Sequence, residues 1–285
     1  MGKVQILADS CCDLGKEQLE KYNIGIVPLY VILGDKSYKD GKEIDPETIY
    51  GYFEHTRETP KTSAANVEDF VDFFAPYVEA GKHIVYIGIS SEMSSTVENA
   101  KRAAEKFPGG EIHVVDSRNL STGIGLLVLR ACEMAQEGRA AREIAEEAER
   151  LTGLVRASFV IDTLEFLRRG GRCSKLAALG ASLLSIKPEI AVRDGRMSNR
   201  SKYIGSITAA ARKYTNNLLA GIQKADARRA FVTYTKNTDK EVVNAVYDAV
   251  VNAGVFDEVI KTTAGCVITS HCGRNTIGFL FMDGE

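Results

Sequence analysis

The sequence predicts an α/β protein whose first half carries a largely parallel sheet and whose second half forms another α/β lobe. Three observations lead there. Short apolar runs of strand length alternate with amphipathic stretches of helical period, the pattern of parallel strands joined by helical crossovers. Several runs end in Ser- and Asp-rich turns, as at Asp9-Ser10, Ile89-Ser90-Ser91 and Asp116-Ser117. Around Leu154–Arg156 the pattern restarts, which divides the chain into lobes of residues 1–155 and 156–285.

Val4–Ala8 is the first strand, and a helix follows near Lys16–Tyr22. Ile24–Leu33 reads as one second strand leading into a hairpin insertion around residues 24–45, with turn signals at Gly34 and Lys39-Asp40-Gly41-Lys42. Asp45-Pro46-Glu47 opens a helix, because Asp caps and Pro is tolerated at the first helical position. Val67, Phe70, Val71, Phe74 and Val78 fall at helical spacing behind Asn66 and Asp69, which suit a reciprocal cap. His83–Ile89 is a strand, a helix starts near Thr96 with Ser95 and Glu98 as a capping box, and Ile112–Val115 is another strand. Helices cover roughly Gly123–Glu137 and Ala141–Thr152.

In the second half Ser158–Ile161 is a strand, and Thr163–Arg169 a short helix stopped by Gly170-Gly171. Leu176–Leu184 reads as an apolar helix, Lys187–Met197 as a hairpin turning at Asp194-Gly195, and Ile207–Gln223 as a long helix. Strands at Ala230–Thr235, Glu258–Thr262 and Gly278–Met282, with a helix at Lys240–Asn252, complete the chain.

Charge and composition exclude several classes of function. Lys plus Arg number 36 against 38 Asp plus Glu, a net charge of -2, which argues against a general nucleic-acid binder. No apolar run approaches the roughly 20 residues that span a bilayer, and the start lacks a secretory pattern, so a cytoplasmic protein is expected. The six cysteines show no CxxC spacing and the four histidines are scattered, so no metal site is expected and the thiols are read as reduced.

Three segments place small hydroxyl residues after an apolar run or before a helix: Lys61-Thr62-Ser63-Ala64, Ile89 to Thr96, and Asp116-Ser117 with Ser121-Thr122. At the carboxyl ends of parallel strands such segments form a ligand crevice, where helix N-termini favour an anion. The same residues also serve as ordinary caps and turns. Arg168, Arg169 and Arg172 crowd the Gly-Gly stop, either as a solvated helix end or as a dock for an anion or a partner. His271 stands beside Cys272 with no carboxylate neighbour that would suggest a triad.

In this order and spacing the segments resemble the DegV family from end to end. The resemblance rests on Ala8-Asp9-Ser10 with Asp13-Leu14, Ile26-Val27-Pro28-Leu29, Lys61-Thr62-Ser63, Ser94-Ser95-Thr96, Val115-Asp116-Ser117, Asp162 to Leu167 with Gly170-Gly171-Arg172, and Ile186-Lys187-Pro188. It implies a two-lobed α/β fold with one long-chain fatty acid, such as palmitate, in an apolar tunnel between the lobes. Thr62 and Ser94 would hold the carboxylate, with Ser63 and Ser95 flanking them and His271 near that end. It implies no catalytic residue, no cofactor and a monomer. Some relatives present the acid to a separate ATP-dependent kinase, for which Arg168, Arg169 and Arg172 would be the dock, with transient contact to a membrane surface.

The chain departs from the family pattern at three places. Ser-Gly-Thr becomes Ser94-Ser95-Thr96, Thr-Ser-Gln-Pro becomes Thr62-Ser63-Ala64-Ala65, and His-x-Gly-Pro-Gly becomes His271-Cys272-Gly273-Arg274-Asn275. Two other functions compete. A serine acyl hydrolase would use Ser94 or Ser117 but lacks the Gly-x-Ser-x-Gly elbow, and a sugar-phosphate or small-anion binder lacks a Gly-rich phosphate loop.

Overall fold

Val4–Asp9 (β1) is buried from Gln5 onward, which suits a central strand covered on both faces. The computed structural model describes residues 3–173 and 186–284. In chain order β1 is followed by helix Lys16–Lys21 (α1), Gly25–Val27 (β2), Tyr30–Leu33 (β3), Lys36–Lys39 (β4), Pro46–Thr56 (α2) and Lys61–Ser63 (β5). Next come Val67–Glu79 (α3), His83–Gly88 (β6), Thr96–Ala104 (α4), Ile112–Asp116 (β7), Thr122–Gln136 (α5) and Ala141–Leu151 (α6). The second half holds Val155–Val160 (β8), Glu165–Gly170 (α7), Ile186–Arg193 (β9), Arg196–Ile204 (β10) and Ile207–Gly221 (α8). Ala225–Tyr234 (β11), Lys240–Asn252 (α9), Glu258–Thr263 (β12), Cys266–Cys272 (α10) and Ile277–Asp283 (β13) complete it.

Among the described residues the strands form three sheets. The first, in order β2-β1-β6-β7, is wholly parallel, as expected. Its order reverses between β1 and β6, so the carboxyl ends of these two strands flank the crevice where open α/β sheets bind ligands. The second, in order β10-β9-β8-β13-β11-β12, is antiparallel at every pairing except β11 with β12. A small third sheet, β4-β3-β5, pairs Thr62 with Val31.

The layers follow from which faces are apolar. Helix α5 is buried on nearly every side, as a helix must be when sheets lie on both flanks of it. It belongs to one apolar cluster that joins Ile6, Val85 and Ile87 of the first sheet to Phe159, Ile190 and Leu280 of the second. Helices α3 and α4 cover the outer face of the first sheet through Phe70, Phe74 and Ala100, and α8 and α9 cover the second through Tyr214, Val242 and Val246.

Several sequence expectations need correction. Ile24–Leu33 is two strands in different sheets, because Pro28 cannot donate to a ladder and Leu29 N–H turns aside to Ser10 Oγ at 3.1 Å. Ser95 makes no side-chain cap to α4, so the Ser95–Glu98 capping box does not form. The segment Lys61–Ser63 is a strand, and α10 is an additional helix whose seven residues are too few to show a period. The expected helix over Leu176–Leu184 lies outside the described residues.

The β9–β10 hairpin turns at Asp194 and Gly195, both left-handed at φ 51° and 79°, as an Asp-Gly hairpin turn requires. Its tip reaches the first lobe. Buried Ser90 donates to Gly195 O at 2.8 Å, Arg118 donates to Asp194 O at 2.5 Å, and Arg196 pairs with Glu92. A Cβ on Gly195 would lie 2.6 Å from Ser90 Oγ. Gly195→Ala should therefore lower unfolding free energy by about 1–3 kcal/mol in a urea titration; an unchanged midpoint would mean that the tip is not clamped.

Candidate functional site

The site grows from loops, strands β5 and β10 and helix α10 that meet near the β1/β6 reversal. Strand β6 ends at Gly88, and the chain then turns through Ile89, Met93 and Ser94 into α4. The third sheet presents Thr62 and Ser63, α10 presents Val267, Ile268, His271 and Cys272, and the hairpin contributes Met197. With Leu29, Ala64, Leu120 and Arg172 these residues enclose a narrow, mostly apolar chamber of about 40 Å³. A second chamber of about 20 Å³ shares Leu120, Ile268 and Cys272 with it and continues toward Phe159, Gly278 and Leu280.

Thr62, Ser63, Ser94, Arg172 and His271 supply the polar part of the first chamber's lining. Thr62 Oγ1 lies 2.8 Å from His271 Nε2. Ser94 Oγ lies 2.7 Å from Thr96 Oγ1, and Thr96 N–H points at it from 3.4 Å. Ser95 makes no side-chain cap to α4, so Ser94 Oγ stands at the positive end of that helix dipole and meets its first N–H. The second chamber also carries hydroxyls, and those of its Ser and Thr side chains are paired, Ser121 with Asp13. Thr233 Oγ1 meets Thr122 and Thr262, Thr235 Oγ1 accepts from Thr276 N–H, and Thr276 donates to Cys272 O. Tyr234 adds a hydroxyl to the same lining.

His271 is held neutral. Burial, followed by the nearby positive charge of Arg172, lowers its pKa from 6.5 to about 4. Its Nδ1 is buried without a hydrogen-bond partner and faces Gly170, where a Cβ would lie only 2.2 Å away. Helix α7 can approach the imidazole this closely only through a glycine. Cys272 is no candidate nucleophile, since burial pushes its thiol up to about 12.

Thr62, Ser63, Ser94 and His271 thus come together around one chamber, although Ser63 Oγ is turned to Ala64 O at 3.2 Å. Ser95 is exposed and does not line it. The arginine trio separates. Arg172 lines the chamber, whereas Arg168 is exposed on the outside and Arg169 pairs with Glu165 at 2.8 Å and donates to Arg57 O at 2.9 Å. Nothing forms a hydrolytic pair among the described residues: the His271 imidazole bonds Thr62 rather than Ser94, and Ser117 Oγ donates to Asn119 O.

A larger, more open cleft of about 610 Å³ lies where β8 and β9 diverge, beyond the last pair of their ladder, Ser158↔Ala191. Its rim includes Arg118, Arg156, Arg193, Arg200, Asp194 and Asp283, so an alkyl chain there would meet charge and water. The enclosed chamber is the better candidate.

Comparisons with known proteins identify the family of the fold. The family model described as "Uncharacterised protein, DegV family" matches residues 3–283. The chain belongs to the DegV family. A DegV domain-containing protein of Clostridium perfringens is 30% identical over 283 residues, covering 99% of each chain. Among solved structures, a Thermus thermophilus DegV family protein described by its fatty acid binding has a TM-score of 0.90 at 31% identity, covering 99% of this chain and 100% of that one. A Thermotoga maritima protein whose structure is described as revealing a fatty acid binding function has a TM-score of 0.85 at 26% identity, with 100% of both chains covered. A stearic acid-binding protein of Eubacterium ventriosum has a TM-score of 0.82 at 26% identity, with 98% of both covered.

The geometry at His271 has a direct check. In an NMR pH titration the imidazole should stay neutral down to about pH 4, and Gly170→Ala should displace it and move that value back toward 6.5. An imidazole that titrates near 6.5 in the parent would mean that it faces solvent.

Proposed function

We propose that this chain holds one long-chain fatty acid between its lobes, residues 1–155 and 156–285, with the carboxylate at Thr62, Ser94 and His271. The observation that carries this reading is a mostly apolar chamber lined by Thr62, Ser94 and His271 and continued by a second chamber whose Ser and Thr hydroxyls are already paired. The described binding of relatives at 31% and 26% identity supports it.

The chemistry divides into two parts. Each buried methylene contributes about 0.8 kcal/mol, so a long acyl chain gains on the order of 10 kcal/mol before the cost of ordering. That gain accepts any tail. Selection for an acid comes from the head group, because a buried carboxylate is costly unless its oxygens accept hydrogen bonds. With His271 neutral and Nε2–H donating to Thr62 Oγ1, the Thr62 hydroxyl hydrogen is free to donate to the ligand. Ser94 can swing its hydroxyl from Thr96 to the same acceptor, and Arg172 supplies a cation at the mouth. These groups hold the acid without activating it, since no base reaches Ser94. The chain is accordingly a carrier in the cytoplasm, a monomer, and the substrate-presenting partner of a separate ATP-dependent kinase. Arg168 and Arg169 form its outer dock for that kinase or for an anionic membrane surface.

The chambers are far smaller than the roughly 300–1,000 Å³ of ordinary ligand pockets, so their walls must part for the acid to enter. Loading should then be gated: in stopped-flow mixing with a fluorescent fatty acid, the observed rate should level off as ligand is raised. A rate that climbs linearly throughout would show a chamber already open.

Ser94→Ala and Thr62→Val should each weaken palmitate binding by about ten- to a hundred-fold, the loss of one hydrogen bond to a charged acceptor. Binding of the matching fatty alcohol should fall much less. If both variants bound palmitate like the parent and lost only thermal stability, the hydroxyls would be structural and the fatty-acid reading would lose its head-group site.

A further inference from the structure

Helix α10 brings His271 to the chamber, yet its own N-terminus is held by carboxylates from the first lobe. Asp40 accepts from Cys266 N–H through Oδ1 at 2.8 Å and from Val267 N–H through Oδ2 at 3.3 Å. Asp13 accepts from Gly265 N–H at 2.7 Å through one oxygen and from the Ser121 hydroxyl at 2.5 Å through the other. Both aspartates are buried. Asp9, also buried, accepts from Ile89 N–H and Tyr86 Oη–H at the start of the loop that carries Ser94. Among the described residues no lysine or arginine is paired with any of the three; their partners are backbone N–H groups and Ser, Tyr and Cys side chains.

We propose that Asp40 is the positioning residue of the head-group end: by receiving two successive N–H groups at the start of α10 it fixes that short helix so that His271 Nε2 meets Thr62. Asp13 adds a second hold one residue earlier and ties it to Ser121, which stands at the second chamber with a left-handed φ of 52°. The proposal rests on the fatty-acid reading for its ligand but not for its geometry. Asp40 touches no guest and acts through His271.

The two aspartates differ in what an amide can replace. Both oxygens of Asp40 face backbone N–H groups, so Asp40→Asn must turn an NH₂ against one of them. In Asp13→Asn the NH₂ can face Ser121 Oγ, which is able to accept. Asp40→Asn should therefore weaken palmitate binding by about tenfold or more while leaving the C16 alcohol within about threefold of the parent. Its His271 should titrate closer to 6.5 than to 4. Asp13→Asn should lose less palmitate affinity than Asp40→Asn. Equal losses for acid and alcohol, or an Asp40→Asn protein whose His271 still titrates near 4 with parental palmitate affinity, would overturn the proposal. A parent that binds no palmitate would sink the fatty-acid reading instead, and the His271 titration would still decide the clamp. Should Asp40→Asn not fold, amide exchange of Cys266 and Val267 in the parent carries the test. Slower exchange in the palmitate-loaded than in the free protein is the expected result, and equal exchange would contradict it.

Discussion

The chamber depends on holding buried aspartic side chains between two sheets without a lysine or arginine paired to them. Asp9, Asp13 and Asp40 are all buried at the carboxyl end of β1 or in the neighbouring hairpin, and among the described residues the bonds they accept come from backbone N–H groups and from Ser, Tyr and Cys side chains. Burial pushes Asp9 up to about 6 and Asp13 to about 8 despite those bonds, and it raises Asp40 as well. The region is therefore one in which donors are abundant and bulk water is scarce. A fatty acid head group placed at Thr62 and Ser94 would depend in the same way on hydrogen bonds to offset its burial.

That environment is a product of layering. Two sheets with α5 between them leave a space closed on both faces, and the loops at the β1/β6 reversal supply its polar end. The hairpin tip spans from the second sheet back to Ser90 and Arg118, bringing Met197 over the chamber. Parts far apart in sequence thus meet at one point: Thr62 and His271 are bonded across 209 positions. The narrowness of the chambers follows from the same packing, since few gaps survive between close-packed side chains.

Periodic elements were legible in the sequence because their residues declare a face. The α3 cap at Asn66 and Asp69, the Pro46 helix start and the Asp194-Gly195 turn all form as their residue types dictate. What could not be read were short elements and those set by tertiary partners. Helix α10 has too few residues for a period, and β5 is a strand only because β3 lies beside it. The antiparallel character of the second sheet is likewise a matter of pairing, which alternation alone does not specify. At the site, the hydroxyls were visible through the family resemblance, whereas the role of Asp40 was not, since Lys39-Asp40-Gly41-Lys42 reads as an ordinary turn. Its partners, Cys266 and Val267, lie 226 and 227 positions away.

The central claim is that an acid occupies the space between the sheets. Mass spectrometry of the purified protein, first under native conditions and then after denaturing extraction, tests this most directly. The account predicts close to one long-chain fatty acid per chain, released on denaturation, because burial of a whole acyl chain makes escape slow. A phosphorylated ligand, or no ligand together with no thermal shift on adding palmitate or oleate, would contradict it.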